Sequence, residues 1–222
     1  MRRWALLLPL LALSSSLVSA QALPDRLALE RDAAATDPRH AATWHGDHAR
    51  LLGPAASDVR VSAEGVHLAL GGHEVRLGLV GVHRGAHVLP IGAGRTRVVG
   101  PEVRTTRAPG IEEWWRSLPS GLEHGVDLAH RPGGTGELVL EVEARGLRAR
   151  LEGDDRVVLE GGPQRLVYTG LVVRDAEGAR VPARMDVVRR RIALRVDDHG
   201  ARYPLRVDPI VASLEQTLSR SP

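Results

Sequence analysis

The chain contains no cysteine, lysine, asparagine or phenylalanine. Without cysteine, disulfides cannot hold an exported fold together, so the apolar core has to do so alone. Lysine, asparagine and phenylalanine have AT-rich codons, and their joint absence is typical of a GC-biased genome. Without phenylalanine, we expect a core of valine, leucine, alanine and isoleucine with a few tryptophans and tyrosines.

The net charge of the chain is also small, because 30 basic residues are nearly balanced by 27 acidic ones, which leaves +3. No basic stripe interleaved with aromatic side chains follows any stretch of the chain. A nucleic acid is therefore not an expected partner.

The N-terminus has the pattern of a targeting segment. Arg2 and Arg3 precede an apolar run at residues 5–13, and small residues follow up to Ala20. The run is shorter than the roughly 20 residues that a membrane-spanning helix needs. We therefore predict a signal peptide, export by the secretory pathway to an extracellular, periplasmic or cell-surface location, and no transmembrane segment.

Alternating apolar residues in short runs separated by glycine dominate the rest of the chain, with turns every 8–12 residues or so. This pattern predicts an all-β, antiparallel β-sandwich-like domain of short Gly-turn hairpins, preceded by a short helical lead. We expect a signal peptide at 1–20, followed by a partly helical or flexible lead at 21–56 with its helix at 26–35. A β-rich domain at 57–210 comes next, with sub-sheets at 57–110 and 111–210 as one option. A short tail at 211–222 ends the chain.

A nine-residue unit is written twice, starting at Gly178 and again at Gly200, with six identical positions. Each copy follows an acidic turn that begins at Asp175 or Asp197. Aspartate at the first position and glycine at the fourth suit a type I turn closed by a left-handed glycine. Each copy also carries a proline, which removes a ladder donor and predicts an edge strand or a bulge. We interpret the copies as two stacked hairpin units with structural turns.

Trp114 and Trp115 are adjacent in a predicted strand, so their side chains should point to opposite faces. One should enter the core. The other should face outward as a platform for a sugar or as a contact for a neighbouring domain. Plain packing of both is the interpretation we favour, since tryptophan is seldom left exposed.

Catalytic chemistry has weak support. Two carboxylates near a tryptophan pair could suit glycoside hydrolysis, but charged side chains on solvent-facing strand positions explain them more simply: Glu112, Glu113, Glu123 and Asp127. No nucleophile-elbow pattern surrounds the serines near His124, and turn chemistry explains Ser117 and Ser120. We predict no catalytic residues.

Histidines cluster around Trp44, at His40, His45 and His48. No helix or strand is signalled that would place these histidines on one face, and the chain has no cysteine, so we predict no metal site and no cofactor. The histidines on or beside the β-type runs are expected to face solvent: His67, His73, His83 and His87.

Four phrases occur in order along the chain: Glu113-Trp114-Trp115, Gly121-Leu122-Glu123-His124-Gly125, Tyr168-Thr169-Gly170-Leu171, and the stretch from Asp197 to Pro209 that ends in Tyr-Pro-Leu-Arg-Val-Asp-Pro. Over residues 43–210 the chain resembles the N-terminal β-rich domain of secreted FG-GAP (integrin-α-like) repeat proteins of myxobacterial type. In that family, β-propeller repeats with acidic calcium loops follow this domain. No Asp-x-Asp-x-Asp-Gly loop occurs here, so the resemblance implies the leading domain alone, without the propeller's calcium or adhesion.

The sequence thus predicts an exported, non-enzymatic structural or interaction domain of the cell envelope or extracellular space. Its expected partner is a following propeller domain or another envelope protein. The alternative is a carbohydrate-binding module that contacts polysaccharide through Trp114 or Trp115. A glycoside hydrolase is the third hypothesis.

Overall fold

The structure, a computed structural model, describes residues 22–53, 57–70, 72–161 and 165–213. The predicted signal peptide and most of the predicted tail lie outside these residues. No helix in this part of the chain is long and apolar enough to cross a membrane. One α-helix, α1 (Ala22–Thr36), and a short 3-10 helix (Pro38–His40) precede the strands.

Nine antiparallel strands form the first sheet. Its order from edge to edge is β1 (Thr43–His45), β2 (His48–Leu52), β3 (Asp58–Ser62), β4 (Gly65–Leu70), β5 (His73–Arg84), β11 (Leu138–Arg145), β16 (Arg191–Val196) and β15 (Ala183–Val188), and β6 (His87–Leu89) also pairs with β5.

Eight antiparallel strands form the second sheet. Its order is β12 (Arg148–Glu152), β13 (Arg156–Glu160), β14 (Arg165–Arg174), β17 (Leu205–Ser213), β10 (Gly121–Leu128), β9 (Ile111–Leu118), β8 (Glu102–Ala108) and β7 (Thr96–Val99).

The two sheets share one apolar core, which confirms the all-β, sandwich-like fold class. Alternation explains how the core is assembled, because inward residues of β4 and β11 are buried while their neighbours are less so. The core consists mainly of leucine and valine. Its larger members are Trp115, Tyr168 and Met185.

The predicted division of the chain is wrong in two places. The strands of residues 57–110 and 111–210 do not form separate sub-sheets, because β11, β15 and β16 join the first sheet. The predicted lead contributes β1 and β2 to that same sheet. Helix α1 also begins before the predicted residues 26–35. Pro24 is tolerated because it lies in the first turn, where backbone N–H groups have no partner within the helix.

Strand β5 contains a bulge opposite β11. Glu141 stands opposite Gly81 and Val142 opposite Leu79, so Val80 has no counterpart. An extra residue of this kind interrupts the ladder locally and changes the direction of the strand. Backbone groups beside it need partners from elsewhere in the molecule.

The two copies of the repeat adopt the same turn but enter different sheets. Gly178 and Gly200 both have a φ of 78°, the left-handed conformation that such a turn requires. Asp175 Oδ1 accepts hydrogen bonds from the backbone N–H groups of residues 177 and 179, and Asp197 Oδ1 accepts one from that of His199.

The prediction of two stacked hairpin units is wrong. The first copy leads into β15, an edge strand, and the second leads into β17, a central strand. Pro204 is compatible with a central strand because it precedes Leu205, where pairing with β10 begins. The copies instead meet through their loops, where the N–H of Ala176 donates to the carbonyl of Arg202 at 2.9 Å.

Candidate functional site on the second sheet

The β9–β10 hairpin carries most of the residues that the sequence singles out. Its two strands pair residue by residue from Ile111 and Leu128 to Leu118 and Gly121. Strand alternation divides their side chains between two faces. The inner face, toward the first sheet, carries Glu113, Trp115, Ser117 and His124. The outer face carries Glu112, Trp114, Glu123 and Asp127.

Three inner side chains, Glu113, His124 and Tyr168, form a buried polar group that we call the inner cluster. His124 Nε2 lies 2.9 Å from Glu113 Oε1, and His124 Nδ1 lies 2.6 Å from the Tyr168 hydroxyl. Trp115 stacks on the imidazole with ring centroids 4.0 Å apart. Burial, with the negative charges of Glu113 and Asp208, raises the pKa of Tyr168, so its phenol stays protonated.

The inner cluster connects the two sheets. Glu113 Oε1 accepts a hydrogen bond of 2.8 Å from the backbone N–H of Leu79 on β5. Arg107 on β8 donates to the carbonyls of Leu79 and Ala63, each at 2.5 Å, and its Nε lies 3.5 Å from Glu113 Oε2. Leu79 adjoins the β5 bulge. The second sheet therefore supplies the partners that the interrupted ladder of the first sheet requires.

Glutamate, histidine and tyrosine are residues that can transfer protons in enzymes. In this fold all three side chains are fully buried and bond one another or the backbone. A substrate would have to separate the sheets to reach them. The geometry is that of a connected polar network that specifies how the sheets pack.

Trp114 lies on the outer face, flat against the sheet over Gly125. A methyl group at residue 125 would come within 2.0 Å of the indole. The guanidinium of Arg206 lies 4.9 Å from the ring centroid and that of Arg116 lies 5.8 Å away. The indole Nε1 donates to Asp127 Oδ1 at 3.1 Å. The tryptophan is thus covered by charged side chains and not by another sheet.

Ion pairs continue across the outer face from Trp114 to the sheet edge, and we call them the outer network. Arg104 is at its centre and reaches three carboxylates, each at 2.7 Å: Glu102, Glu112 and Asp127. Burial alone would raise the pKa of Asp127. Hydrogen bonds from Arg206 and Arg104 outweigh burial and hold that pKa below its usual range.

Helix α1 attaches to the other end of the same face. The guanidinium of Arg31 bonds Glu123 and Asp208, with Nε at 2.8 Å from Glu123 Oε1. Both carboxylates are buried. Burial and the charge of Glu123 raise the pKa of Asp208 well above its usual range, against the influence of Arg31. Leu27 and Ala34 add the apolar contacts of the helix.

The two tryptophan side chains point to opposite faces, as predicted, and both are packed, with Trp114 0% and Trp115 1% exposed. This is the packing of both rings that the sequence favours, and the alternative of an exposed outward ring is wrong. The local period cannot predict that arginines from β9 and β17 cover the outer ring. Neither tryptophan offers a platform for a ligand or a contact for another domain in this conformation.

The placement of all four carboxylates on solvent-facing positions is also wrong. Glu113 and Glu123 are fully buried, because arginines distant in sequence surround them. Ser117 is a strand residue, not a turn residue, and its hydroxyl donates to the carbonyl of Leu52 and lies 2.5 Å from His40 Nδ1. Ser120 lies in the turn and bonds Glu30.

The histidines near Trp44 do not converge. His40 is buried against Ser117, whereas His45 bonds Thr43 and His48 bonds Asp47. Among the described residues no group of three or more potential ligands is placed to hold a metal ion. Of the strand histidines, two are exposed, His73 and His87, and two are half-buried, His67 and His83.

An open groove of about 390 Å³, with His45 in its lining, lies at the first sheet's edge. Both arginines that line it already bond carboxylates, Arg39 that of Asp37 and Arg50 that of Asp58. The groove is lined by residues from the 3-10 helix, β1, β2 and the start of β3, and not by the β9–β10 hairpin.

Sequence reasoning missed the arginines that organise both faces, Arg31, Arg104, Arg107 and Arg116. One local signal was available for Arg107, because it follows Val103 and Thr105 at every second residue and so shares their inward face of β8. A charged residue in such a register indicates a buried partner. Arg31 offers no comparable signal, because its partners lie 92 and 177 residues away.

Comparison with protein-family profiles, with curated proteins and with solved structures gave no match.

Proposed function

We propose that the chain is an exported, non-enzymatic structural or interaction domain of the cell envelope or extracellular space. The observation that carries the non-enzymatic part is the position of the inner cluster. Its glutamate, histidine and tyrosine lie between the sheets and bond one another and the backbone of β5. The outer carboxylates are likewise held by arginines. Groups with these partners support the fold.

Export is supported by the sequence pattern at residues 1–20, where Arg2 and Arg3 precede an apolar run and small residues. The resemblance to the leading domain of FG-GAP repeat proteins supports an envelope role, with a propeller domain or another envelope protein as the partner. Carbohydrate binding through Trp114 or Trp115 is not proposed further, because both rings are buried.

Two measurements test the proposal. Expression of the full chain in a bacterium should yield a periplasmic or secreted protein that begins at Gln21, as read by mass spectrometry, while Arg2→Glu/Arg3→Glu should retain the signal peptide. The purified protein should hydrolyse no member of a panel of polysaccharides and aryl glycosides. Hydrolysis that coelutes with the wild-type protein in size-exclusion chromatography would overturn the non-enzymatic role, and a cytoplasmic wild type with its N-terminus intact would overturn export.

A further inference from the structure

The hairpin between β15 and β16 ends in a two-residue loop, Arg189-Arg190, which we call the arginine tip. Val188 and Arg191 pair directly across it. Both tip residues have positive φ, 50° and 68°. Two positive φ values are the signature of a type I′ turn, which favours glycine, asparagine and aspartate. Among the described residues, every other position with positive φ is a glycine.

The side chains of the tip are free. Among the described residues, neither guanidinium has an ion-pair or hydrogen-bond partner. The hairpin's other arginines, by contrast, each pair with a carboxylate: Arg184, Arg191 and Arg195. Arginine at the tip is therefore explained neither by the backbone conformation nor by an internal contact. A strained position of this kind points to a use outside the fold.

Two further exposed arginines lie at the same end of the sandwich. β11 is antiparallel to β16 and ends at Arg145, where β16 begins. Arg148 starts β12 after a tight turn in which the N–H of Leu147 donates to the carbonyl of Ala144. The carboxylate of Glu143 lies 3.6 Å from Arg145 and is shared with Arg76. The carboxylate opposite Arg148, that of Glu160, is likewise shared, with Arg150 and Arg165, so positive charge prevails at this end.

We propose that this basic end, made of Arg145, Arg148, Arg189 and Arg190, binds the carboxylate groups of an acidic polysaccharide. The planar guanidinium matches a carboxylate with two parallel hydrogen bonds, so a group of arginines suits a polymer that carries one carboxylate per sugar. This inference rests on the proposed function, since it names the partner of a non-enzymatic interaction domain.

The surroundings of the tip favour a polysaccharide over a membrane or a nucleic acid. Membrane-surface sites place large apolar side chains beside their basic residues. Of the exposed large hydrophobic residues in the described part of the chain, four lie on other elements: Leu29, Trp44, Val88 and Val99. Leu151 lies on β12 three residues after Arg148, so the two side chains point to opposite faces of the strand. Single-stranded nucleic acids are bound by basic grooves with aromatic platforms, and the hairpin has no aromatic residue.

The test is binding to polygalacturonate, measured by isothermal titration at low salt, with neutral dextran as the matched polymer. We expect binding to polygalacturonate alone, weakening as NaCl screens the charges. Arg189→Asn/Arg190→Gly places residues that the type I′ turn favours, so the variant should fold and bind about five- to tenfold more weakly. Arg174→Gln/Arg180→Gln removes the same charge before β15 begins, away from the tip, and should bind like wild type.

The outcomes are separable. Equal affinity in the tip variant and the control, or no binding to polygalacturonate, overturns the inference and leaves the proposed function intact. Binding to phosphatidylglycerol vesicles or to single-stranded DNA in preference to polygalacturonate overturns it in favour of those partners. Shortening of the polymer during the titration, followed by size-exclusion chromatography, overturns the non-enzymatic role instead.

Discussion

Gly125 shows how a single residue controls the outer face of the second sheet. Its lack of a side chain leaves the space in which Trp114 lies flat on β10. From there the indole reaches Asp127 and passes beneath Arg206. The outer network therefore depends on a glycine whose backbone needs no unusual φ.

We expect Gly125→Ala to destabilise the fold by about 1–3 kcal/mol, because the new methyl group would overlap the indole and force Trp114 from its position. Urea unfolding followed by tryptophan fluorescence measures both the stability and the displacement of the ring. Gly92→Ala is the matched control, since a methyl group there meets no atom within 4 Å. Equal unfolding midpoints for the two variants would contradict the packing.

Glu113 tests the inner cluster. Glu113→Gln preserves the size of the side chain but removes the charge that faces Arg107 and His124. Because this leaves a buried arginine without its counter-charge, we expect a loss of about 3–5 kcal/mol in the free energy of unfolding. Glu74→Gln, at a carboxylate that is 62% exposed, should change it by about 1 kcal/mol or less. A small effect at Glu113 would show that the cluster is not essential to the packing of the sheets.

At the scale of elements, α1 is held to the sandwich more by charge than by apolar packing. Only Leu27 and Ala34 are buried among its described side chains, whereas Arg31 bonds two buried carboxylates on different strands. A helix with so few apolar contacts gains little from packing alone. The Arg31 contacts therefore determine whether α1 remains attached.

Arg31→Met should weaken this attachment by about 2–3 kcal/mol, because Glu123 and Asp208 lose their shared cation while buried, a cost reduced by the partial exposure of Arg31. Hydrogen exchange should show faster exchange in residues 22–36 and little change in β11 of the first sheet. Asp32→Ala, at an exposed position of the same helix, serves as the control. Unaltered exchange of α1 in Arg31→Met would contradict an electrostatic attachment.

In the β15–β16 hairpin, unlike in the variants above, we expect a substitution to increase stability. Arg189→Asn/Arg190→Gly should stabilise the protein by about 1–2 kcal/mol, because a left-handed conformation costs an ordinary side chain roughly 1–2 kcal/mol, offset in part by the chain entropy of glycine. Chemical denaturation measures the change. Arg180→Gly lies outside the positive-φ positions and should destabilise slightly. A destabilised tip variant would contradict the strain at the turn.

At the scale of the whole molecule, carboxylates with shifted pKa values make stability depend on pH in two directions. Carboxylates such as Asp127 and Asp198 have lowered pKa values, so the stability they contribute is present above about pH 4 and is lost as pH falls through those values. Asp208 has a raised pKa, so its contribution is present below about pH 4 and is lost as pH rises toward that value.

The variant Asp208→Asn isolates the part of the stability that is lost as pH rises. The amide cannot ionise, so the variant should gain stability relative to wild type as pH rises above about 4, by at most about 1.4 kcal/mol per pH unit, until the raised pKa is passed. Urea unfolding of both proteins between pH 4 and pH 8 provides the difference. A difference that stays constant over this range would show that Asp208 ionises normally in the folded state.

The sequence by itself determined the local features of this protein. Strand alternation placed Trp114 and Trp115 on opposite faces, and glycine marked the left-handed turns at Gly178 and Gly200. Alternating runs between regular turns predicted the all-β class, and the absence of cysteine excluded disulfides. These features depend on residues that are close along the chain, so short stretches of sequence are enough to predict them.

Only the tertiary structure decided which charges are buried and which strands are neighbours. Glu113 meets Arg107 and Leu79 because the two sheets face each other, and Arg31 reaches Asp208 across 177 residues. The two repeat copies share a sequence yet enter different sheets, since pairing partners and not local pattern determine the position of a strand. Burial of a charge depends on partners brought together by the whole fold, and no local period encodes them.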